Sequence, residues 1–497
     1  MVTQEALMSK KVKTIIIGAV VLVVLVGVLV VLQLTKEKPI DVDKLASEAQ
    51  EEFVTLINGP DSNLEYIHIK NEKDDYIIDR QAEERWGIKD IMDYEQTYYL
   101  YTETVAMGCN VVASSVIEEN SSDLSKYGLI NPSLVFEVKF KDSPAKSVSV
   151  GSLSTDGKIR YGCETGKNTV YAFPSTAFGN LFYSRYDYID KVVVPGLESD
   201  QVKDIPIVNE MSVSRPDLEK PIVLTQFKEG ELSENASTQA TLYLSSPVRA
   251  LISETPAQEY VYGNFGIVAE TIVTAKPTEA QLKEFGFDKP TSEFMIRYND
   301  TTKVKVTTGK AITSKSEDGT KSEIVSYYAL REGTDQVYIV KATDMKWMNF
   351  QVKDILSSIV VLPHILDLDS IDATLEGKTN AIKYIRGADP KDVNAFKATL
   401  NGKDVDVSNA KAFMQLCQLT SVQNINKIEP TVEPIAKIKY NYLNGKSDLV
   451  EVYVLPDLTC IVSLNGNKAF TGRPGYVDKL IKEMKNLTNG KTVDLDW

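Results

Sequence analysis

The chain has 497 residues, is 43% hydrophobic and 25% charged, and carries a formal charge of −14. So acidic a surface repels phosphate backbones, and no basic stripe interleaved with aromatics offsets it, which argues against nucleic-acid binding. The length suffices for several domains of ordinary size, and two histidines, His68 and His364, leave no material for a multi-histidine metal centre.

From Ile15 to Leu32 the sequence is apolar without a charge, with Lys10, Lys11 and Lys13 before it and Lys36, Glu37 and Lys38 after it. At about 1.5 Å per residue, a helix over 14–34 crosses a hydrocarbon core of roughly 30 Å. The run is longer than a signal-peptide core and lacks a small-residue cleavage site. The sequence therefore predicts a tail over 1–13 in the cytoplasm and a single-pass anchor in the lipid bilayer over 14–34. The body then lies outside the cytoplasm, an orientation taken from the upstream lysines. Leu45, Ala49, Phe53 and Leu56 recur at helical spacing and predict a helical stalk over 35–62, stopped by Gly59-Pro60.

Two later segments match each other. Tyr127-Gly-Leu129 and Pro132 correspond to Phe285-Gly-Phe287 and Pro290, and Val170-Tyr171 to Val337-Tyr338. Gly128 and Gly286 stand in the same relation as Pro132 and Pro290, while Pro195 and Pro363 require an insertion of about ten residues in the second copy. Each glycine is placed to end a short helix in a left-handed conformation, and each proline prevents its resumption. Thr278 and Gln281 suit a capping box, and Asp156-Gly157 and Asp318-Gly319 suit hairpin turns. A third, divergent copy begins at Leu368–Ala373, holds a helix over 409–419 and a turn at Leu443-Asn-Gly-Lys446, and closes on a helix with Val477, Leu480, Ile481, Met484 and Leu487 on one face. In the first copy, Tyr94, Thr97, Tyr98, Tyr101 and Val105 predict an upstream helix over 93–107. The expected fold is α+β: an N-terminal transmembrane helix, then tandem units over 63–195, 196–363 and 364–497 with largely antiparallel sheets and covering helices.

Tyr127-Gly-Leu129, Pro132, Gly151, Tyr161, Val170-Tyr171 and Asp190-Lys191, with Trp86-Gly-Ile88 upstream, resemble the DUF4340 family over roughly 63–363, with Gly309 in the glycine position of the second copy. The resemblance implies a single-span protein with an extracytoplasmic body and, as partner, a membrane or cell-envelope protein such as an ABC-transporter component. It implies no catalytic residue.

The chemistry readable in the sequence is sparse. There is no phosphate-binding glycine loop and no G-x-S-x-G elbow. Cys109, Cys163, Cys417 and Cys460 are scattered and read as buried apolar residues, and nothing in the spacing joins Cys163 or Cys417 to His68 or His364. Asp367-Leu-Asp-Ser-Ile-Asp372 starts like a calcium loop but has Ile371 and Asp372 where a ligand and a glycine belong, so it reads as a solvated connector. Tyr94, Tyr98, Tyr99 and Tyr101 read as packing ahead of a sugar-binding surface. Asp204, Glu210, Asp217, Glu219 and Glu254 are the carboxylates that could face one another in an interdomain cleft. No catalytic, cofactor-binding or metal residue is singled out, and no cofactor is called for. The expected function is a membrane-tethered binding or scaffold protein without enzymatic activity, with a cell-envelope glycan-binding module or glycan hydrolase as the alternative.

Overall fold

The strand pattern is strongest where a central strand buries every second side chain. Leu134, Phe136 and Val138 do so in Leu134–Phe140; Ser292, Phe294 and Ile296 in Ser292–Tyr298; Ala436, Ile438 and Tyr440 in Ala436–Tyr442. This is the period of a pleated strand whose one face lies on a core. A computed structural model describes residues 53–81, 85–197, 206–233, 235, 241–315 and 321–496. In it those three strands sit at matching places in three large antiparallel sheets.

The first sheet runs Trp86–Gly87, Asp75–Arg80, Leu64–Asn71, Leu134–Phe140, Lys146–Leu153, Ile159–Glu164, Val170–Pro174, Ser115–Glu118. A three-strand meander and a four-strand meander thus join through their first strands, and Ser115–Glu118, the second strand after the helix Tyr98–Cys109, closes the far edge. The second sheet has the same order: Leu242–Ser246, Ile222–Gln226, Val208–Ser214, Ser292–Tyr298, Thr302–Lys315, Ser322–Arg331, Gln336–Lys341, Thr271–Ala275. The third repeats it from Lys397–Leu400, Lys378–Ile385 and Leu368–Leu375 onward, with Lys403–Val405 added at one edge. Even the irregularity repeats. The pairing of the two first strands shifts register between Leu64 and Tyr66, between Val208 and Glu210, and between Leu368 and Ser370. A bulge kept in all three sheets marks a tandem repeat. The insertion in the second copy is a longer hairpin: strands of 14 and 10 residues replace strands of 8 and 6.

Two motif positions explain why the sequence folds this way. Gly128 (φ +69°) and Gly286 (φ +86°) are left-handed, as the sequence predicts. Gly151 and Gly309 let the following strand touch the turn: a Cβ there would lie 2.1 Å from the Tyr127 carbonyl oxygen and 2.3 Å from that of Phe285. Ser133 Oγ donates to the carbonyl of Val150 at 3.2 Å, and Thr291 Oγ1 to that of Thr308 at 3.2 Å, tying each clasp to its sheet.

The chain divides into two compact units, one ending at Tyr188 and one starting at Ile189. In the first, Tyr101 stacks on Tyr188 at 4.5 Å, and Thr104 Oγ1 lies 2.8 Å from the Tyr188 hydroxyl, which ties the helix to the turn Arg185–Tyr188. Arg185 grips Asp74 with Nη2–Oδ1 at 2.8 Å and Nε–Oδ2 at 2.9 Å, and its backbone N–H donates to Oδ2 at 2.8 Å. Burial raises the Asp74 pKa, but these bonds outweigh it and leave the carboxyl below its usual value. Such a group contributes stability that is present above its unfolded pKa of about 3.9 and is lost as pH falls through the lower folded value. Asp74→Asn is therefore expected to destabilise at neutral pH and to differ less and less from the parent below about pH 4. Urea melts at pH 7 and pH 3 check this, and an undiminished difference at pH 3 would refute it.

Several expectations need correction. The span over 14–34 lies outside the described residues, and among those residues no helix is long and apolar enough to cross a membrane. The membrane tether through 14–34 and the single-pass localisation with an outside body are therefore unsupported, and so is the membrane or ABC-transporter partner that the family resemblance implied. What stands is an α+β fold of large antiparallel sheets with few helices. The stalk over 35–62 is no continuous helix where it is described: Val54–Asn58 is a strand paired with Asn110–Ala113, burying Leu56 and Ile57 together, and only a single 3-10 turn, Asp61–Asn63, follows. Long-range pairing outweighs the helical spacing there. The acidic run 367–372 is no solvated connector, because Leu368–Leu375 is a central strand with Leu368, Ile371, Ala373 and Leu375 buried. The helices are Tyr98–Cys109 and Val407–Gln418, offset from the expected bounds.

Candidate functional site

Four of the five carboxylates suspected from sequence lie among the described residues. Glu210 pairs with Arg297 at 3.5 Å, Asp217 with Arg215 at 2.9 Å and Glu219 with Lys427 at 2.6 Å, while Glu254 sits in the first turn of the helix Glu254–Tyr262. Asp204 lies outside the described residues. The four cysteines are buried and free, and burial pushes the thiols of Cys109 and Cys460 up to about 11. His68 pairs with Asp75 at 2.6 Å. Tyr101 is packed at 1% exposure, whereas Tyr98 and Tyr99 are exposed. No group of three or more His, Cys, Asp or Glu among the described residues could hold a metal ion.

A cavity of about 740 Å³ lies within the second unit, between parts of the second and third sheets. Its volume falls in the range of about 300–1,000 Å³ typical of small-molecule sites. Three chain segments build it. The first is the end of the second sheet's meander: Phe227 follows the strand Ile222–Gln226, Tyr243 lies in the paired strand Leu242–Ser246, their rings meet at 4.8 Å, and the Arg249 guanidinium lies 3.9 Å over the Tyr243 ring. The second is the connector to the third sheet, Val360 to Asp367. The third is a pair of N-G hairpin turns, with Gly445 at φ +80° and Asn465 and Gly466 at φ +52° and +84°. Glycine or asparagine is what such turns demand.

Each carboxylate on the wall is already held by protein donors. Asp448 accepts from the Tyr442 hydroxyl at 2.7 Å and from Asn465 Nδ2 at 2.8 Å. Asp367 accepts from Ser233 Oγ and from Asn235 Nδ2, the latter at 2.8 Å. Glu231 accepts from the Lys228 backbone N–H at 2.8 Å and faces Arg249 at 3.5 Å. Burial, reinforced by Asp448, raises the pKa of the Tyr442 phenol and keeps it protonated as the donor. The arrangement fixes these acceptors in place.

Of these residues, sequence reasoning singled out His364, Asp367 and the turn at Leu443–Lys446, each for another reason. Tyr243, Arg249, Asp448 and Asn465 carry no local signal, although Asn465-Gly466 is legible as a turn.

A family model described as "Domain of unknown function (DUF4340)" matches residues 101–249 and 266–441. The match reaches further than the resemblance over 63–363, into the third sheet. Each matched stretch takes in the last five strands of one sheet and the opening meander of the next. No curated protein and no solved structure matches the chain.

Proposed function

The chain belongs to the DUF4340 family, and from that premise we propose that it binds a small polar ligand in the cavity of the second unit without transforming it. The observation that carries this reading is the state of the wall. Asp448, Asp367 and Glu231 are all committed to protein donors, so the cavity is preorganised to accept hydrogen bonds and not to move protons. The family motif supports the same reading, because Gly151, Gly309, Tyr127 and Phe285 are used in the clasp that closes each sheet.

Ser447 is exposed and lines the cavity, so Ser447→Trp fills it with little effect on stability. We expect ligands from a library of polar small molecules to raise the Tm of the parent protein, to lose that effect in Ser447→Trp, and to be recovered chemically unchanged. Stabilisation that persists in the filled variant would place the site elsewhere. Conversion of the ligand would make the protein an enzyme.

A further inference from the structure

The chemistry of the cavity wall narrows the ligand class, an inference that rests on the ligand-binding reading above. The wall carries two cations, Arg249 and Lys446, against three carboxylates, Glu231, Asp367 and Asp448. That balance gives no advantage to an anionic ligand, and Arg249 is already shared between Glu231 and the Tyr243 ring. A phosphate would want a cradle of N–H groups or a surplus of cations.

What the wall supplies instead is a ring of paired acceptors and donors. The carboxylates of Asp448 and Asp367 keep lone pairs beyond those used by Tyr442, Asn465 and Asn235. Asn444 and Asn467 add amides, each able to donate and accept. His364 Nδ1 accepts from the Leu366 backbone N–H at 3.2 Å, so the neutral ring carries its proton on Nε2 and is a donor there. Apolar and aromatic surface from Phe227, Tyr243 and Phe470 lies beside these groups. A pyranose matches that combination: hydroxyls around its edge both donate and accept, and its faces present C–H groups. We propose that the cavity binds a neutral oligosaccharide.

The test uses the full chain and saturation-transfer NMR with titration calorimetry. The probes are cellobiose, maltose and chitobiose as neutral sugars, with digalacturonate, inorganic phosphate and trialanine as the other arms. One neutral disaccharide is expected to bind and to weaken about tenfold in Asp448→Asn, the loss typical of a hydrogen bond to a charged group. His364→Gln, with near-UV circular dichroism as the check on folding, carries the same test should Asp448→Asn fold poorly. Binding of digalacturonate, phosphate or trialanine with no neutral sugar bound would overturn the sugar assignment and leave the binding role intact. Absence of binding by every probe would overturn the sugar assignment. Hydrolysis of a bound disaccharide would uphold the sugar class and overturn the non-catalytic reading.

Discussion

Gly151→Ala is expected to destabilise the first unit by about 3 kcal/mol, at the upper end of the cost of overpacking a well-packed site. The added methyl would stand 2.1 Å from the Tyr127 carbonyl oxygen, with the Gly128 carbonyl carbon at 3.1 Å. These are backbone atoms, so no rotamer change relieves the clash. The turn that would have to move is held by bonds from Gly128 N–H to the Ser125 carbonyl at 3.0 Å and from Leu129 N–H to the Leu124 carbonyl at 3.1 Å. It is also pinned by the Tyr127 hydroxyl, which donates to Glu118 at 2.6 Å. Gly157→Ala is the control. That glycine is left-handed at φ +70° with nothing within 4 Å of where a methyl would sit, so its substitution should cost only the conformational term, about 1 kcal/mol. Urea midpoints of the two variants give the ordering. Equal costs would mean that the close approach at Gly151 does not govern the clasp.

The parts of this fold that were legible in the sequence are those fixed by local chemistry. Gly128 and Gly286 take the left-handed conformation because no other residue does so freely. Thr278 and Gln281 form both bonds of the capping box, at 2.9 Å and 3.3 Å, because the partners are three residues apart. Turns at Asp156-Gly157 and Asn444-Gly445 follow the same logic. What was misread depends on distant partners. Val54–Asn58 looks helical until Asn110–Ala113 pairs with it, and the acidic residues of Leu368–Leu375 hide a central strand whose neighbours begin at Lys378 and Ala436.

The cavity was illegible for the same reason. Tyr243, His364, Asp448 and Asn465 are far apart in the chain, and their convergence is a property of how the second and third sheets pack. Repeats hide such sites well, because the similarity between copies reports what they share. The clasp recurs in the first two copies and reads as architecture, whereas the cavity draws on residues from two different sheets.

Arg215→Ala is expected to destabilise the second unit by about 3 kcal/mol, the consequence of stripping two buried carbonyls of their donor. The Arg215 side chain is 4% exposed and donates from Nη1 to the Trp347 carbonyl at 2.6 Å and from Nη2 to that of Phe350 at 2.9 Å. These carbonyls belong to the loop that carries Trp347 into the core, where its ring stacks on Phe294 at 4.3 Å and its Nε1 donates to Ser292 at 3.0 Å. The first sheet has the same device in neutral form. Asn71, at the matching end of its strand, donates to the carbonyls of Leu181 and Tyr183 at 2.9 Å and 2.8 Å. The loop is thus held by donors reaching its main chain, not by the charge of Arg215. The ion pair to Asp217 is secondary, since Asp217 is 58% exposed and solvent screens it. Two consequences separate these roles. Asp217→Asn should cost less than about 1 kcal/mol, and the loss in Arg215→Ala should be insensitive to salt, because buried hydrogen bonds to carbonyls are not screened. Urea melts at low and high ionic strength, followed by tryptophan fluorescence with Trp86 and Trp497 replaced by Phe so that Trp347 reports, measure both. A loss in Arg215→Ala that disappears at high salt would assign the effect to the ion pair and refute the loop-holding role.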